Sequence, residues 1–145
     1  MNKTPLSKIM SIDYGLKKIG VALTDMMQIT AYPFAVIESV CVKENAKKLS
    51  QMAKENSVSE IVVGLPINMS GSQGAMAKTV RIFIEELKKV SNLPVVEIDE
   101  TLSTVEALEI INTKAKRIKN RKKDFKDKIA AALILQRYLE KKCFI

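Results

Sequence analysis

The amino-acid sequence predicts an α/β protein with a mixed β-sheet and helices on both faces. Three observations predict this class: strand-like segments open the chain, helical and strand-like segments then alternate, and the chain closes with helical segments. Alternation of this kind produces parallel strands joined by right-handed crossovers, which place helices over the sheet. The length of 145 residues suits a single domain, residues 1–145.

The first three segments are predicted strands. Residues 9–13 form a short apolar run that ends in an acid, and residues 18–24 alternate between apolar and small or polar side chains. Because the gap at 14–17 has the length of a hairpin turn, we expect the first two strands to be antiparallel neighbours. Residues 32–42 predict a third strand, with Pro33 at its beginning or on a sheet edge.

The rest of the chain is predicted to alternate between helices and strands. The strongest helical pattern runs from Met76 to Val90, where apolar residues recur at helical spacing. A basic run at 114–123, with seven lysines and arginines in ten residues, either tracks a nucleic-acid backbone or forms a solvated loop. In order, the predicted segments are a helix over 43–56, a strand over 60–64, a helix over 72–90, a strand over 94–98, a helix over 103–112 and a helix over 124–142.

Composition restricts the chemistry that this chain can perform. Histidine is absent, which excludes histidine general bases, Ser-His and Cys-His pairs and most zinc catalysis. Lys and Arg total 24 against 16 for Asp and Glu, and the net charge of +8 favours polyanionic partners. Two scattered cysteines, no signal-like start and no apolar run of about 18 residues predict a reduced, cytoplasmic protein that does not enter a membrane.

Asp13 is the first candidate for a functional residue. A carboxylate that ends an apolar strand is costly to bury unless it is paired or coordinates a cation. Gly15, two residues later, leaves space where a phosphate or metal could approach. The alternative is a turn aspartate that accepts backbone hydrogen bonds.

Two further acids lie at positions that could join Asp13. Glu100 follows a predicted parallel strand, and ligands of α/β sheets bind beyond the carboxyl ends of such strands. Asp127 shares a helical stripe with Ala130 and Ile134. The alternatives are helix capping for Glu100 and favourable placement in a first helical turn for Asp127. Three converging carboxylates would suit magnesium or manganese, which can activate water for phosphodiester hydrolysis.

Four motifs follow one another along nearly the whole chain. They are Asp13-Tyr14-Gly15 with Lys18-Ile19-Gly20-Val21-Ala22, Val63-Gly64-Leu65-Pro66 with Asn68-Met69-Ser70-Gly71, Asp99-Glu100-Thr101-Leu102-Ser103-Thr104-Val105-Glu106-Ala107, and Asp127 before Ala130-Ala131 and Ile134-Leu135-Gln136. In this order the motifs resemble those of the YqgF/RuvX family. The resemblance implies a ribonuclease H-like fold, with a five-stranded mixed sheet whose second strand is antiparallel. It also implies a nuclease related to Holliday junction resolvases that processes the 5′ end of precursor 16S ribosomal RNA.

The resemblance also implies the residues of the site. Asp13, Glu100 and Asp127 match the acidic positions expected to be catalytic and to bind Mg²⁺ or Mn²⁺. One position departs from the family pattern: Thr101 stands where an arginine, able to clamp a phosphate, usually follows the Asp-Glu pair. The residues expected to bind substrate are Gly15, Lys17, Lys18, Gly64, Asn68, Ser103 and Thr104.

The expected partner is nucleic acid, either structured RNA such as precursor ribosomal RNA or branched DNA, and a homodimer is a further hypothesis. Thr101 keeps open a second class, a factor of the same fold that binds nucleic acid without cutting it. A third class, the sugar kinases and actin-like ATPases, also uses an Asp-x-Gly turn after a first strand. Those proteins normally close two such domains on a nucleotide, and this chain has the length of one.

Overall fold

The structure is a computed structural model that describes residues 6–65, 75–99 and 122–143, without the side chains of residues 99, 122–128 and 142–143. None of the helices in these ranges has the length and hydrophobicity that crossing a membrane requires. The elements are β1 Lys8–Asp13, β2 Lys18–Thr24, β3 Ala31–Glu38, α1 Val42–Glu55, β4 Val58–Leu65, α2 Ala75–Ser91, β5 Val95–Asp99 and α3 Lys122–Cys143.

The five strands form one sheet in the order β3-β2-β1-β4-β5. β2 is antiparallel to both of its neighbours, whereas β1, β4 and β5 are mutually parallel. The predicted mixed sheet with a reversed second strand is therefore confirmed. Its centre is β1, whose carboxyl end lies at the same sheet edge as the carboxyl ends of β4 and β5.

Helices cover both faces of the sheet. One apolar cluster joins a sheet face to α1 and α2, and includes the buried Leu49 and Phe83. A second cluster joins the opposite face to α3 through Ile134 and Leu135. The predicted stripe of α2 is confirmed except at Val90, which is 40% exposed near the end of the helix.

Several predicted boundaries were wrong by a few residues. The third strand ends at Glu38 rather than at residue 42, because the Val40 N–H donates to Asn45 Oδ1 (2.9 Å) and the chain turns into α1. The expected position of Pro33 on a sheet edge is confirmed. Pro33 lies in the edge strand β3 beside a register irregularity, where the N–H that proline lacks is not needed for strand pairing. β4 extends to 58–65 and α3 begins at Lys122, within the basic run. The helix predicted over 103–112 lies outside the described residues.

A polar contact joins the end of α3 to the sheet. The Tyr138 hydroxyl donates to Glu60 Oε2, and burial and then the neighbouring carboxylate raise the pKa of Tyr138 above its usual range. A raised tyrosine pKa stabilises the fold below the unfolded value of about 10, and this contribution falls as the pH rises above that value.

We expect Tyr138→Phe to lower the free energy of unfolding by about 1 kcal/mol at neutral pH, because one hydrogen bond is lost. Above about pH 10 the difference from wild type should shrink, since only the wild-type tyrosine loses a proton on unfolding. Urea unfolding at about pH 7, 9 and 11 measures both effects. A constant difference across this range would contradict the assigned pKa shift.

Candidate functional site

Asp13 is the last residue of the central strand, and the neighbouring strands end beside it. Ile12 pairs with Val63 on β4, and Gly64 pairs with Ile98 on β5. The register therefore brings the carboxyl ends of three parallel strands to one edge. This is the edge at which ligands of α/β sheets bind.

The side chain of Asp13 faces α3. Ile9 belongs to the apolar cluster under α3, and the fully buried Ser11 donates its hydroxyl to the Ala131 carbonyl oxygen of that helix at 2.5 Å. Because side chains alternate along a strand, Asp13 shares this face with Ile9 and Ser11. The Asp13 side chain is half-buried and takes part in a polar contact, so the strand end does not leave it fully solvated.

Glycines flank Asp13 on both adjoining strands. Asp13 pairs with Gly20 on β2, and the register that pairs Ile12 with Val63 brings Gly64 beside it on β4. Ala22 and Val62, two residues from these glycines, face α3, so Gly20 and Gly64 lie on the α3 face as well. Neither neighbour contributes a side chain beside the carboxylate. The two strand residues level with the carboxylate thus occupy no side-chain space, as a site for a metal ion or a phosphate requires.

Sequence reasoning did not select Gly20 as a site residue. The sequence did contain an indication of its role, because Gly20 interrupts an otherwise alternating strand. A glycine in a strand often marks a place where a ligand or another backbone approaches closely. Its position beside Asp13 depends on the hairpin register, which the sequence pattern did not specify.

Two contacts determine the direction in which α3 crosses the sheet. The Ser11 hydroxyl is hydrogen-bonded to the backbone of Ala131, whereas the hydroxyl of Tyr138, seven residues after Ala131, is hydrogen-bonded to Glu60. Glu60 pairs with Ile9, two residues before Ser11. α3 therefore runs opposite to β1, so its earlier turns lie toward the carboxyl end of that strand.

This direction brings the earlier turns of α3 toward the level of Asp13 along the strand. Two strand residues advance the chain by about 6.6 Å, and four helical residues advance it by about 6 Å. The distance along β1 from Ser11 to Asp13 is thus about the same as the distance along α3 from Ala131 back to Asp127. The backbone of Asp127 lies near the level of Asp13; its side chain is outside the described residues.

The β1–β2 turn carries three predicted substrate-binding residues. A Cβ on Gly15 would overlap the Lys18 carbonyl oxygen, so the tight turn itself requires glycine there. Lys18 begins β2 and lies on the α3 face with Gly20. Lys17 is exposed in the turn, and its carbonyl accepts the Ser39 N–H at 2.9 Å.

Tyr14 anchors the turn to the opposite face of the sheet. Its ring packs against Phe83 of α2, with centroids 4.3 Å apart and planes inclined by 35°. Its hydroxyl accepts a hydrogen bond from the Asn45 side-chain amide of α1 at 2.8 Å. The residue next to Asp13 is therefore held by two helices, which restrains the position of the candidate ligand.

The other predicted site residues are outside the described part of the chain. Glu100, Asn68, Ser103 and Thr104 fall there, and their roles stay predictions. Within the described residues, no group of three acidic, cysteine or histidine side chains is arranged to hold a metal ion. Of the three predicted carboxylates, only that of Asp13 belongs to those residues.

We expect Ser11→Ala to lower the free energy of unfolding by about 1 kcal/mol, because a buried hydrogen bond between β1 and α3 is lost. Urea unfolding measures the change. Ser59→Ala is the control, since the Ser59 hydroxyl pairs with Ser7 at the exposed end of the sheet and should change stability by less than about 0.5 kcal/mol. Equal effects of the two substitutions would contradict a specific role for Ser11 in docking α3.

Solved structures share this architecture. The Holliday junction resolvase of fowlpox virus aligns with a TM-score of 0.56 and 19% identity, covering 92% of this chain and 99% of the viral chain. Thermus thermophilus RuvC in complex with a Holliday junction substrate aligns with a TM-score of 0.55 and 14% identity, covering 93% of this chain and 96% of RuvC. At these identities the likeness shows the fold. The chain therefore has a ribonuclease H-like fold, with an acid at the carboxyl end of its central strand.

The chain belongs to the RuvX family, whose model, described as Holliday junction resolvase, matches residues 7–141. A protein of Endomicrobium trichonymphae with the provisional name pre-16S rRNA nuclease is 49% identical over 135 residues, covering 93% of this chain and 96% of that protein. A protein of Fusobacterium nucleatum with the same provisional name is 38% identical over 138 residues, covering 94% and 99%. The family membership and fold expected from the motifs are thus confirmed.

Proposed function

We propose that this chain is a metal-dependent nuclease that hydrolyses phosphodiester bonds in structured RNA, in the 5′-end processing of precursor 16S ribosomal RNA. One observation carries the proposal: the Asp13 carboxylate lies at the carboxyl end of the central strand, between Gly20 and Gly64, in a chain of the RuvX family. The provisional names of the relatives supply the RNA substrate.

The proposed metal ligands are Asp13, Glu100 and Asp127. Asp13 fits a divalent cation because its half-buried carboxylate lies at the carboxyl edge of the sheet, with glycine directly beside it on both adjoining strands. The backbone of Asp127 lies near the same level, and Glu100 directly follows Asp99, the last described residue of β5. Carboxylate oxygens suit Mg²⁺ or Mn²⁺, and a chain without histidine is unsuited to most zinc sites. When bound, the metal would lower the pKa of water and stabilise the leaving oxygen.

The chain's own residues would hold and orient the nucleic acid. Lys18 lies on the same face as Asp13 and could contact a phosphate at the scissile position, with Lys17 exposed beside it. Gly20 and Gly64 would let the sugar-phosphate backbone approach the carboxylate. Asn68, Ser103 and Thr104 complete the proposed contacts with substrate. The net charge of +8 would add sequence-independent attraction to phosphates.

Branched DNA is the second candidate substrate. The family model is described as Holliday junction resolvase, and the RuvC neighbour was solved with a Holliday junction. The RNA proposal rests on the relatives, which are far more similar in sequence than RuvC is. We also propose a cytoplasmic location. The homodimer hypothesis is tested by sedimentation velocity with and without nucleic acid.

A labelled substrate panel tests the proposal. Wild-type protein is incubated with precursor 16S ribosomal RNA, an unrelated structured RNA of equal length and a four-way DNA junction, each with Mg²⁺, with Mn²⁺ or with EDTA. We expect metal-dependent cleavage of the precursor RNA near its mature 5′ end. Cleavage of the junction alone would establish the DNA alternative. Binding without cleavage under every metal condition would establish the non-catalytic alternative that Thr101 keeps open.

A further inference from the structure

A buried asparagine on α1 forms three side-chain hydrogen bonds. Asn45 is 2% exposed, and its Oδ1 accepts the Val40 N–H at 2.9 Å. Its Nδ2 donates to the Tyr14 hydroxyl at 2.8 Å and to Ser39 Oγ at 3.0 Å. Because a backbone N–H can only donate, Val40 fixes the orientation of the amide and directs its two N–H groups at the two hydroxyls.

Packing alone does not require a polar residue at this position of α1. Ala46, Leu49 and Ala53 fill other buried positions of the helix with apolar side chains. An amide in the interior costs free energy unless it is hydrogen-bonded, whereas a satisfied polar network holds one particular geometry. The geometry that Asn45 holds is that of two segments far apart in the chain, the β1–β2 turn and the connection between β3 and α1.

The β1–β2 turn, residues 14–17, is held at both ends by this network. Tyr14 begins the turn, and its hydroxyl is bound directly by Asn45. Lys17 ends the turn, and its carbonyl oxygen accepts the N–H of Ser39 at 2.9 Å. The hydroxyl of Ser39 is in turn bound by Asn45. Removal of the Asn45 side chain would therefore release both ends of the turn at once.

The turn carries a lysine that is available to a phosphate. Lys17 is exposed and forms no ion pair within the described residues. It lies four residues after Asp13, at the edge of the sheet where β1 ends. A lysine side chain is long and flexible, and ordering it on binding costs free energy. A backbone that is already fixed lowers this cost, because only the side chain has to be ordered.

We propose that Asn45 is a positioning residue, which holds the β1–β2 turn in the conformation that presents Lys17 to the phosphates of the nucleic acid. The inference rests on the proposed function, because that function makes Lys17 a substrate contact. Since Asn45 is buried, it acts through Tyr14 and Ser39 and does not itself touch the nucleic acid.

The expected loss is in binding rather than in chemistry. Asp13 is placed by the pairing of β1 with its neighbouring strands, which Asn45 does not contact through its side chain. We expect Asn45→Ala to weaken binding of labelled precursor 16S ribosomal RNA in EDTA by roughly 3- to 10-fold, and the slope of log affinity against log salt to fall by about 1. With Mg²⁺, KM should rise by a similar factor and kcat should stay within about twofold.

A double-mutant cycle with Lys17→Gln tests whether Asn45 acts through the lysine. Residues that act through one contact have non-additive effects. In the Lys17→Gln background, Asn45→Ala should therefore weaken binding by less than about twofold. Equal effects of Asn45→Ala in the two backgrounds would overturn the inference, and so would a fall in kcat at unchanged KM.

Ser50→Ala is the matched control on the same helix. Ser50 is also buried, and its hydroxyl donates to the Val90 carbonyl oxygen of α2 at 3.3 Å, away from the turn. This substitution should lower the midpoint of urea unfolding and leave RNA affinity and KM within about twofold of wild type. A loss of affinity equal to that of Asn45→Ala would show that reduced stability alone weakens binding, and would overturn the inference.

Two milder substitutions address the network if Asn45→Ala does not fold. Tyr14→Phe removes the hydroxyl and keeps the ring that packs on Phe83, and Ser39→Ala removes the other hydroxyl. Each should weaken RNA binding by roughly 2- to 3-fold, and wild-type affinity in both would overturn the inference. Failure of wild type to cleave in the substrate panel would instead overturn the nuclease function, and the binding measurements in EDTA would still decide the role of Asn45.

Discussion

Asp13→Asn should reduce the rate of metal-dependent cleavage by on the order of 10³-fold or more, because the amide neutralises a proposed ligand charge worth several kcal/mol in the transition state. The fold should persist, since asparagine has nearly the same shape and the position is only half-buried. Single-turnover cleavage of the best substrate from the panel, at saturating Mn²⁺, measures the effect. Circular dichroism and thermal unfolding verify that the variant is folded.

Asp25→Asn is the matched control for this substitution. Asp25 follows β2 at the opposite end of that strand, where its carboxylate accepts the Ile29 N–H at 2.8 Å. Loss of one carboxylate charge there should change cleavage by less than about twofold, because the site lies several strand residues from Asp13 and is screened by solvent. Wild-type cleavage by Asp13→Asn would exclude this residue as a metal ligand. Retained nucleic-acid binding by a cleavage-deficient variant would separate chemistry from affinity.

Phe83→Ala should lower the free energy of unfolding by about 3–5 kcal/mol, the range for removing a buried aromatic side chain. Phe83 is fully buried beneath the sheet and supplies the ring that contacts Tyr14. Its removal leaves a cavity and releases one of the two restraints on the residue that follows Asp13. Urea unfolding measures the loss of stability.

Ile82→Ala gives the comparison for this core substitution. Ile82 is the neighbouring residue of α2 and points to solvent, so its truncation should cost less than about 0.5 kcal/mol. A Phe83 effect below about 1 kcal/mol would contradict the assigned packing of α2 against the sheet. Cleavage by folded Phe83→Ala, measured well below its unfolding transition, reports how far the Tyr14 anchor contributes to placing Asp13.

The sequence predicted the strands around Asp13 because their patterns are local. Residues 18–24 alternate with period two, and this pattern alone specified which residues share a face. The structure adds the pairing of Asp13 with Gly20, which follows from the hairpin register. A shift of one residue would place a buried isoleucine or valine opposite Asp13, so the presence of a glycine beside the carboxylate depends on register.

The sequence was less informative where single side-chain hydrogen bonds end an element or join two elements. The apolar composition of residues 32–42 suited a longer strand, but the Asn45 side chain captures the Val40 N–H and ends the pairing early. Ser11 is a second example, because a serine within an apolar strand was not selected as important. Its hydroxyl docks α3 across 120 residues of sequence, a contact that no local pattern reports.

The sequence by itself determined that Asp13 ends an apolar strand, and it predicted Asp127, on the stripe of Ala130 and Ile134, as a further candidate ligand. Periodicity and strand ends are properties of neighbouring residues, so a single chain can reveal them. Only the tertiary structure decided that α3 crosses β1 in the opposite direction, which brings the backbone of Asp127 near the level of Asp13. That direction depends on contacts between residues far apart in the chain. These contacts stabilise the fold only once the helix and the sheet have packed together, so no local sequence pattern reports them.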